Sequence, residues 1–524
     1  MTPLTHPPSK FAAGLGLWLA CLPAGPSHAQ SETLAAPLSV IEWLGSQPAP
    51  LEGRVRPVAM TRPSEPATTN NALPPGITVS PLTEGAPRQI GLVPASVTGL
   101  PADLWHGSDA SRVISMIAAL PDLHLPAAQS LLYTVLLAEA HAPQQGGEDA
   151  LALARVRKLM TLGALDPALS LIEQAGIANS SGHFDLWMDL SLLTGTEDRA
   201  CAMLDKNAHL TRNYAFRIFC AARAGHWDNA ALTFGSAQAL DLLPTDTLDL
   251  LDRFLFPDAY EDSPRPRPPR KLDPLSFRLF EAIGEPLPTR NLPRAFAVAD
   301  LRELSGWKSQ LEAAERLTRA GALPDNQLLG LYSARKAAAS GGIWDRVAAL
   351  QRFETALSTH SVEAVAKTLP LAWAAMHEAE LEVAFAGLFA EQLVGYTLTG
   401  QAGTVASDMI LLSSAYEKAA ANPNTQAPAL HLAIARGETP AHRPDDPVAA
   451  AVYDAFSDAP ARPELLVHAR EGRLGESILS ILDLLHDATE GDAPALRDAL
   501  STLRALGLED TARRAALQTL ILIR

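Results

Sequence analysis

With 524 residues, 47% of them hydrophobic, the chain carries enough apolar side chain for one large core or several smaller ones. A formal net charge of −16 argues against an electrostatic grip on nucleic acid or on anionic lipid as the basis of function. Aromatic residues make up only 6%, and the wealth of Ala and Leu favours helices over sheets, which draw on β-branched and aromatic side chains.

Residues 1–29 read as a signal peptide. Lys10 supplies a positive charge, Phe11–Leu22 (FAAGLGLWLACL) an apolar core, and Ser27-His28-Ala29 the small residues that a signal peptidase needs before Gln30. That core is too short to span a bilayer, and no later apolar run is long enough, so a mature chain without a transmembrane segment is expected. Cleavage near Ala29 would give a periplasmic or secreted protein. Leu19-Ala20-Cys21 also resembles part of a bacterial lipoprotein box, although Trp18 stands where such boxes usually carry Leu; on that alternative Cys21 bears a lipid anchor.

Residues 30–100 are rich in Pro, Thr and Ser (RPSEPATTNNALPPG) with no sustained period, which predicts a disordered or extended linker. Within it, Val40-Ile41-Glu42-Trp43-Leu44 gives a short amphipathic stretch over 38–45, either a docking peptide or an element that folds back on the main body.

From near Ser111 apolar residues recur at three- and four-residue intervals (VISMIAAL, AQSLLYTVLLAEA, LALARVRKLMTLG), the period of helices. The prolines of SPRPRPPRK forbid helix over 263–271 and divide an N-terminal helical region, 101–262, from a central one, 272–421. A loop region with one short helix is predicted over 422–446 (NPNTQAP, ETPAHRPDDP), and 447–524 is helical again. Arg265, Arg267, Arg270 and Lys271 read as a solvated linker beside the acidic DAYED, or as a docking point for an acidic partner.

One spacing recurs: Gly163…Asp166, Gly195…Asp198, Gly225…Asp228 and Gly342…Asp345. Each Gly is expected to close a helix in the left-handed conformation and each Asp to open the next as its N-cap, with Pro167 at the first helical position. The small residue two places later lets the second helix start close against the first. The repeat length lies in the low-to-mid thirties, from Gly163 to Gly195, Gly195 to Gly225, Gly306 to Gly342 and Gly472 to Gly507. In this the chain resembles the tetratricopeptide-like (TPR-like) superfamily over about 110–360 and 447–524. The resemblance implies an all-α, irregular α-solenoid of helical hairpins that binds a peptide or protein on its concave face; no ligand contact is carried over, because the matched residues are structural.

Of the three cysteines, Cys201 and Cys220 remain after leader cleavage. Their midpoint falls on the turn between two helices, the second with Thr211 as its expected cap, so antiparallel packing brings them level and predicts a disulfide in an oxidising compartment. His209 stands nearby without CxxC or HxxxH spacing, and no metal is assigned.

Motifs with a mechanism are absent from the sequence. There is no GxxxxGK[ST], GxGxxG, HExxH or GxSxG, and His377-Glu378-Ala379-Glu380 lacks a second His. Glu476-Ser477 is similar to the catalytic Glu of exported enzymes that join a helical superhelix to a lysozyme-like domain. Too little chain follows it for such a domain, and Glu476 suits the first turn of a helix after Gly475. No catalytic residue and no cofactor are therefore assigned.

Trp227 and Trp344 hold matching elbow positions, while Trp187 and Trp307 sit on helices; such rings pack on the neighbouring unit or offer a carbohydrate or peptide platform. In the terminal AALQTLILIR, Leu520, Ile521 and Ile523 either fold back into the last layer or form an interface. The function expected is that of a non-enzymatic periplasmic scaffold or adaptor, binding a protein or peptide partner in the cell envelope of a Gram-negative bacterium. The alternatives are a peptidoglycan-acting envelope hydrolase with a divergent site and a lipid-anchored assembly factor.

Overall fold

The computed structural model describes residues 89–143 and 147–522. The leader with Cys21, the stretch 38–45, the remainder of the chain before Gln89, and Ile523 lie outside the described residues.

The fold is all-α, apart from a minimal ladder in which β1 (Gln89–Ile90) pairs antiparallel with β2 (Ala140–His141). Its first ten helices are α1 (Ala95–Thr98), α2 (Ala110–Ala119), α3 (Pro126–Leu137), α4 (Glu148–Leu162), α5 (Leu165–Ala175), α6 (Ser181–Thr194), α7 (Glu197–Lys206), α8 (Tyr214–Arg223), α9 (Trp227–Ala239) and α10 (Thr245–Leu255). The proline-rich 263–271 is not helical. Beyond it come α11 (Pro274–Ala282), a 3₁₀ segment (Arg294–Leu301), α12 (Trp307–Thr318), α13 (Asp325–Ser333), α14 (Ile343–Ser358), α15 (Val362–Glu378), α16 (Glu382–Leu393), α17 (Gly400–Leu412) and α18 (Tyr416–Ala421). After α19 (Ala429–Arg436) the chain ends in α20 (Pro447–Phe456), α21 (Pro463–Arg470), α22 (Leu474–Thr489), α23 (Ala493–Ala505) and α24 (Glu509–Ile521).

Several starts are dictated locally. Asp109, Asp273, Asp446 and Asp492 each accept the backbone N–H three residues on at 2.8–2.9 Å, capping α2, α11, α20 and α23. Pro274 and Pro447 follow two of these caps directly, at the position where a missing N–H costs nothing.

The folded chain begins earlier than a linker ending at residue 100 would allow. Ile90 and Leu100 are buried, and Leu92 and Val93 donate backbone N–H groups to Leu137 O at 2.8 and 3.0 Å. A fully buried guanidinium fixes this strand. Arg155 of α4 donates from Nε to Leu136 O (2.6 Å), from Nη1 to Ile90 O (2.8 Å) and from Nη2 to Ala138 O (2.8 Å).

Consecutive helices pack on one another, α4 on α5, α7 on α8, α8 on α9, α14 on α15 and α22 on α23. Other contacts have no place in an open stack whose units touch only their neighbours. α24 lies against α3, α22 against both α2 and α3, and the 3₁₀ segment against α4 and α6. Gly107 N–H donates to Gly472 O at 2.9 Å, Gly475 N–H to Leu104 O at 3.0 Å, and Ala127 N–H to Gln518 Oε1 at 2.7 Å. The last helices therefore close onto the first. This accounts for the apolar end of the sequence: Leu520 and Ile521 are half-buried and packed on the core, with α24 covered by α3.

Closure depends on Gly475. A Cβ built there would lie 2.1 Å from the ring of the fully buried Trp105, so the indole rests on bare α22 backbone. Gly475→Ala is expected to cost about 2–3 kcal/mol through overpacking, read as a lower urea midpoint. Adding Trp105→Leu should recover part of that loss; a Gly475→Ala chain with unchanged midpoint would contradict the close approach.

Candidate functional site

Gly163, Gly195 and Gly225 take φ values of +87°, +81° and +81° at the ends of α4, α6 and α8. The aspartates stand elsewhere than expected. Asp166, Asp198 and Asp228 are the second residues of α5, α7 and α9, whose N-caps are Ala164, Thr196 and His226, none with a side-chain cap bond. Each helix begins almost at once after its glycine, so the carboxylate falls inside the first turn and acts on the helix dipole instead of capping. Pro167 is correspondingly third in α5, still among the N–H groups that lack helical partners. Ala168, Ala200 and Ala230 are fully buried where the paired helices meet.

The fourth occurrence is a different turn. Gly342 (φ +56°) is itself the N-cap of α14, residues 334–342 separate it from α13, and Asp345 is the third helical residue. Trp227 and Trp344 are consequently not equivalent, being first in α9 and second in α14. Trp344 stacks near Trp307 (centroids 5.2 Å), Trp227 near Phe254 (6.0 Å).

Cys201 of α7 and Cys220 of α8 form a disulfide, with Cα atoms 4.9 Å apart and both residues buried. Asn213, not Thr211, caps α8: its Oδ1 accepts Ala215 N–H at 3.0 Å, while the Thr211 hydroxyl donates to Asp185 and accepts from Asn213 N–H at 2.9 Å. Beside the disulfide, Arg223 at the end of α8 reaches back to Asp198 (Nη2–Oδ1 2.5 Å). Replacing both cysteines by serine should lower stability by roughly 3 kcal/mol on the chain-entropy account. Urea unfolding with and without reductant checks this, and a wild-type midpoint indifferent to reductant would oppose it.

The buried glutamates hold helices together. Glu197 meets Arg278 (2.6 Å) and Arg223 (3.4 Å). Glu315 accepts from Arg346 Nε (2.8 Å), Arg346 Nη2 (2.9 Å) and the Tyr332 hydroxyl (2.5 Å). Glu382 meets His377 Nδ1 at 2.5 Å, and Glu476, third in α22, meets Arg112 Nε at 2.9 Å. Asp189 on α6 differs: burial, then the nearby charges of Asp273 and Asp185, push its carboxyl up to about 8.

Two arrangements resemble chemistry and lack its geometry. Ser180 Oγ lies 2.9 Å from His183 Nδ1, and His183 Nε2 lies 3.6 Å from Asp149 Oδ1. The Ser180 oxygen accepts the His183 backbone N–H as the cap of α6, the histidine is fully buried, and 3.6 Å exceeds a hydrogen bond. An open cleft of about 400 Å³ beside Trp344 is lined by Lys308, Glu312, Glu315 and Arg346. Its charges pair among themselves and with Arg290, which meets Glu312 at 2.8 Å. Among the described residues no three His, Cys, Asp or Glu side chains converge as metal ligands.

What the surface concentrates is apolar. Trp227, Leu232, Leu240, Leu242 and Phe256 are 48%, 72%, 68%, 43% and 43% exposed, half of the exposed large hydrophobics among the described residues. All five belong to α9, α10 and the residues beside them. α9 buries only Ala230, Phe234 and Ala237, a narrow stripe turned toward α8 and α10. Leu232 stands on the opposite side of the helix by its 100° steps. The seam between α9 and α10 is aromatic, with Phe234 and Phe256 centroids 6.5 Å apart and Trp227 and Phe254 6.0 Å apart. Periodicity alone missed this surface, because each apolar residue looks like core until the neighbouring helix is placed. Compared with protein-family models, curated proteins and solved structures, the chain matches none.

Proposed function

We propose that the chain is a non-enzymatic adaptor of the bacterial cell envelope that holds a protein or peptide partner on the outer face of α9 and α10. The observation that carries this reading is the gathering, among the described residues, of half the exposed large hydrophobics onto that one helical hairpin. The signal-like residues 1–29 and the Cys201–Cys220 disulfide support an oxidising compartment outside the cytoplasm. The Gly-bounded hairpins of α4 to α9 support a TPR-like ancestry for the helical units, in a closed rather than open arrangement.

The test places a photoreactive residue at 232 in the full chain, expressed in its native host, with a second probe at Leu371 on α15 as the exposed control. A partner adduct from 232 alone, reduced at least about tenfold by Leu240→Ser with Phe256→Ser, supports the reading. Equal adducts from both positions, or none from 232, would refute it. N-terminal sequencing of the same material should begin at Gln30.

A further inference from the structure

We infer that the segment held on the α9–α10 face is a basic amphipathic one, with apolar residues at helical spacing flanked by Lys or Arg; this rests on the partner-binding reading. Residues 224–262 contain eight carboxylates against a single cation, Arg253. That arginine is already engaged, its Nε 3.1 Å from Asp249 and its guanidinium 4.5 Å from the Tyr260 ring centroid. Asp228, Asp241, Asp246, Asp258, Glu261 and Asp262 are exposed, and none is ion-paired to a described residue.

Elsewhere the chain neutralises some of its carboxylates with arginine, as Glu312, Asp454, Glu509 and Asp498 show. Around the exposed apolar side chains it does not. The cations that follow in sequence leave the rim uncompensated: Arg265 turns to Glu285 at 3.0 Å, and no ion pair joins Arg267, Arg270 or Lys271 to the rim.

An acidic rim around an apolar centre selects its occupant. Two copies meeting on this face would set like charges opposite each other, and an acidic peptide or anionic lipid surface would be repelled likewise. A basic segment brings complementary charge to the rim and apolar side chains to the exposed Leu232, Leu240, Trp227 and Phe256, the usual helix-on-groove mode. The attraction raises the association rate and makes it dependent on salt.

The experiment titrates the full mature chain into a fluorescent 18-residue Leu/Lys helical peptide, with a Leu/Glu peptide of identical spacing as its opposite. The Leu/Lys peptide is expected to bind, to lose about tenfold in affinity between low salt and roughly 0.3 M, and to lose as much again with Asp228→Asn, Asp241→Asn and Asp246→Asn together. Leu232→Ser must also weaken it, and the Leu/Glu peptide must not bind. Binding unaffected by the three Asn substitutions overturns the inference. So does concentration-dependent dimerisation abolished by Leu232→Ser, which would make a second copy the occupant. If the photo-adduct at 232 persists unchanged in the Asn variant and at high salt, the partner-binding reading stands and the basic-segment inference falls; without any adduct, the reading itself falls.

Discussion

Replacing Arg155 by methionine is expected to lower stability by about 3–5 kcal/mol, the largest loss from any single side chain away from the closure contacts. Among the described residues no carboxylate answers the guanidinium; its three partners are the carbonyl oxygens of Ile90, Leu136 and Ala138. Burial alone lowers its pKa, to about 10. Methionine fills a similar volume and leaves three desolvated acceptors without donors, each worth roughly 1–3 kcal/mol. Arg155→Lys should restore only part of the loss, because one ammonium cannot span a three-acceptor fork. The urea midpoint reports the total, and hydrogen exchange at Leu92 and Val93 reports whether the first strand detaches. A Met variant within about 1 kcal/mol of wild type would show that the three carbonyls find other donors.

Asp189→Asn is expected to stabilise the protein at alkaline pH and to leave it unchanged near pH 4. The unfolded carboxyl titrates at about 3.8 and the folded one at about 8. Between these values the native state keeps a proton that the unfolded chain has released. This contribution therefore declines as pH rises through that window, by up to ~1.4 kcal/mol per pH unit, with its full penalty above pH 8. Asparagine carries no such proton and removes the slope. The gain at pH 9 is bounded by the whole window, about 6 kcal/mol, and is seen as a difference between the urea midpoints of the two proteins that grows from pH 5 and levels off above pH 8. Parallel pH profiles would mean that Asp189 is ionised in the fold.

The elements legible in sequence are those written in adjacent residues. The glycines at 163, 195 and 225 announce helix ends, and the symmetric placement of Cys201 and Cys220 about a turn announces their bond; Asp273-Pro274 and Asp446-Pro447, equally local signals of helix starts, went unread. Legibility fails where the same letters meet different surroundings. SGGIWD contains the elbow spacing, yet the long stretch before it places its glycine at the start of a helix. It fails more thoroughly where the partner is backbone or distant. Nothing near Arg155 in sequence names the carbonyls it serves, and nothing near Gly475 names Trp105. Of the candidate face, Trp227 was visible as an elbow residue. Leu232, Leu240 and Phe256 were not, because an amphipathic pattern does not say which helix lacks a neighbour.

The bond between Ala127 and Gln518 joins residues 391 positions apart. A chain emerging from a ribosome or a translocation channel in N-to-C order cannot make it until nearly all of its length is out. α3 must wait, with one flank uncovered, for the arrival of α24. Early segments are thereby kept from locking prematurely, and the same delay leaves apolar surface open to holding factors until the last helix arrives.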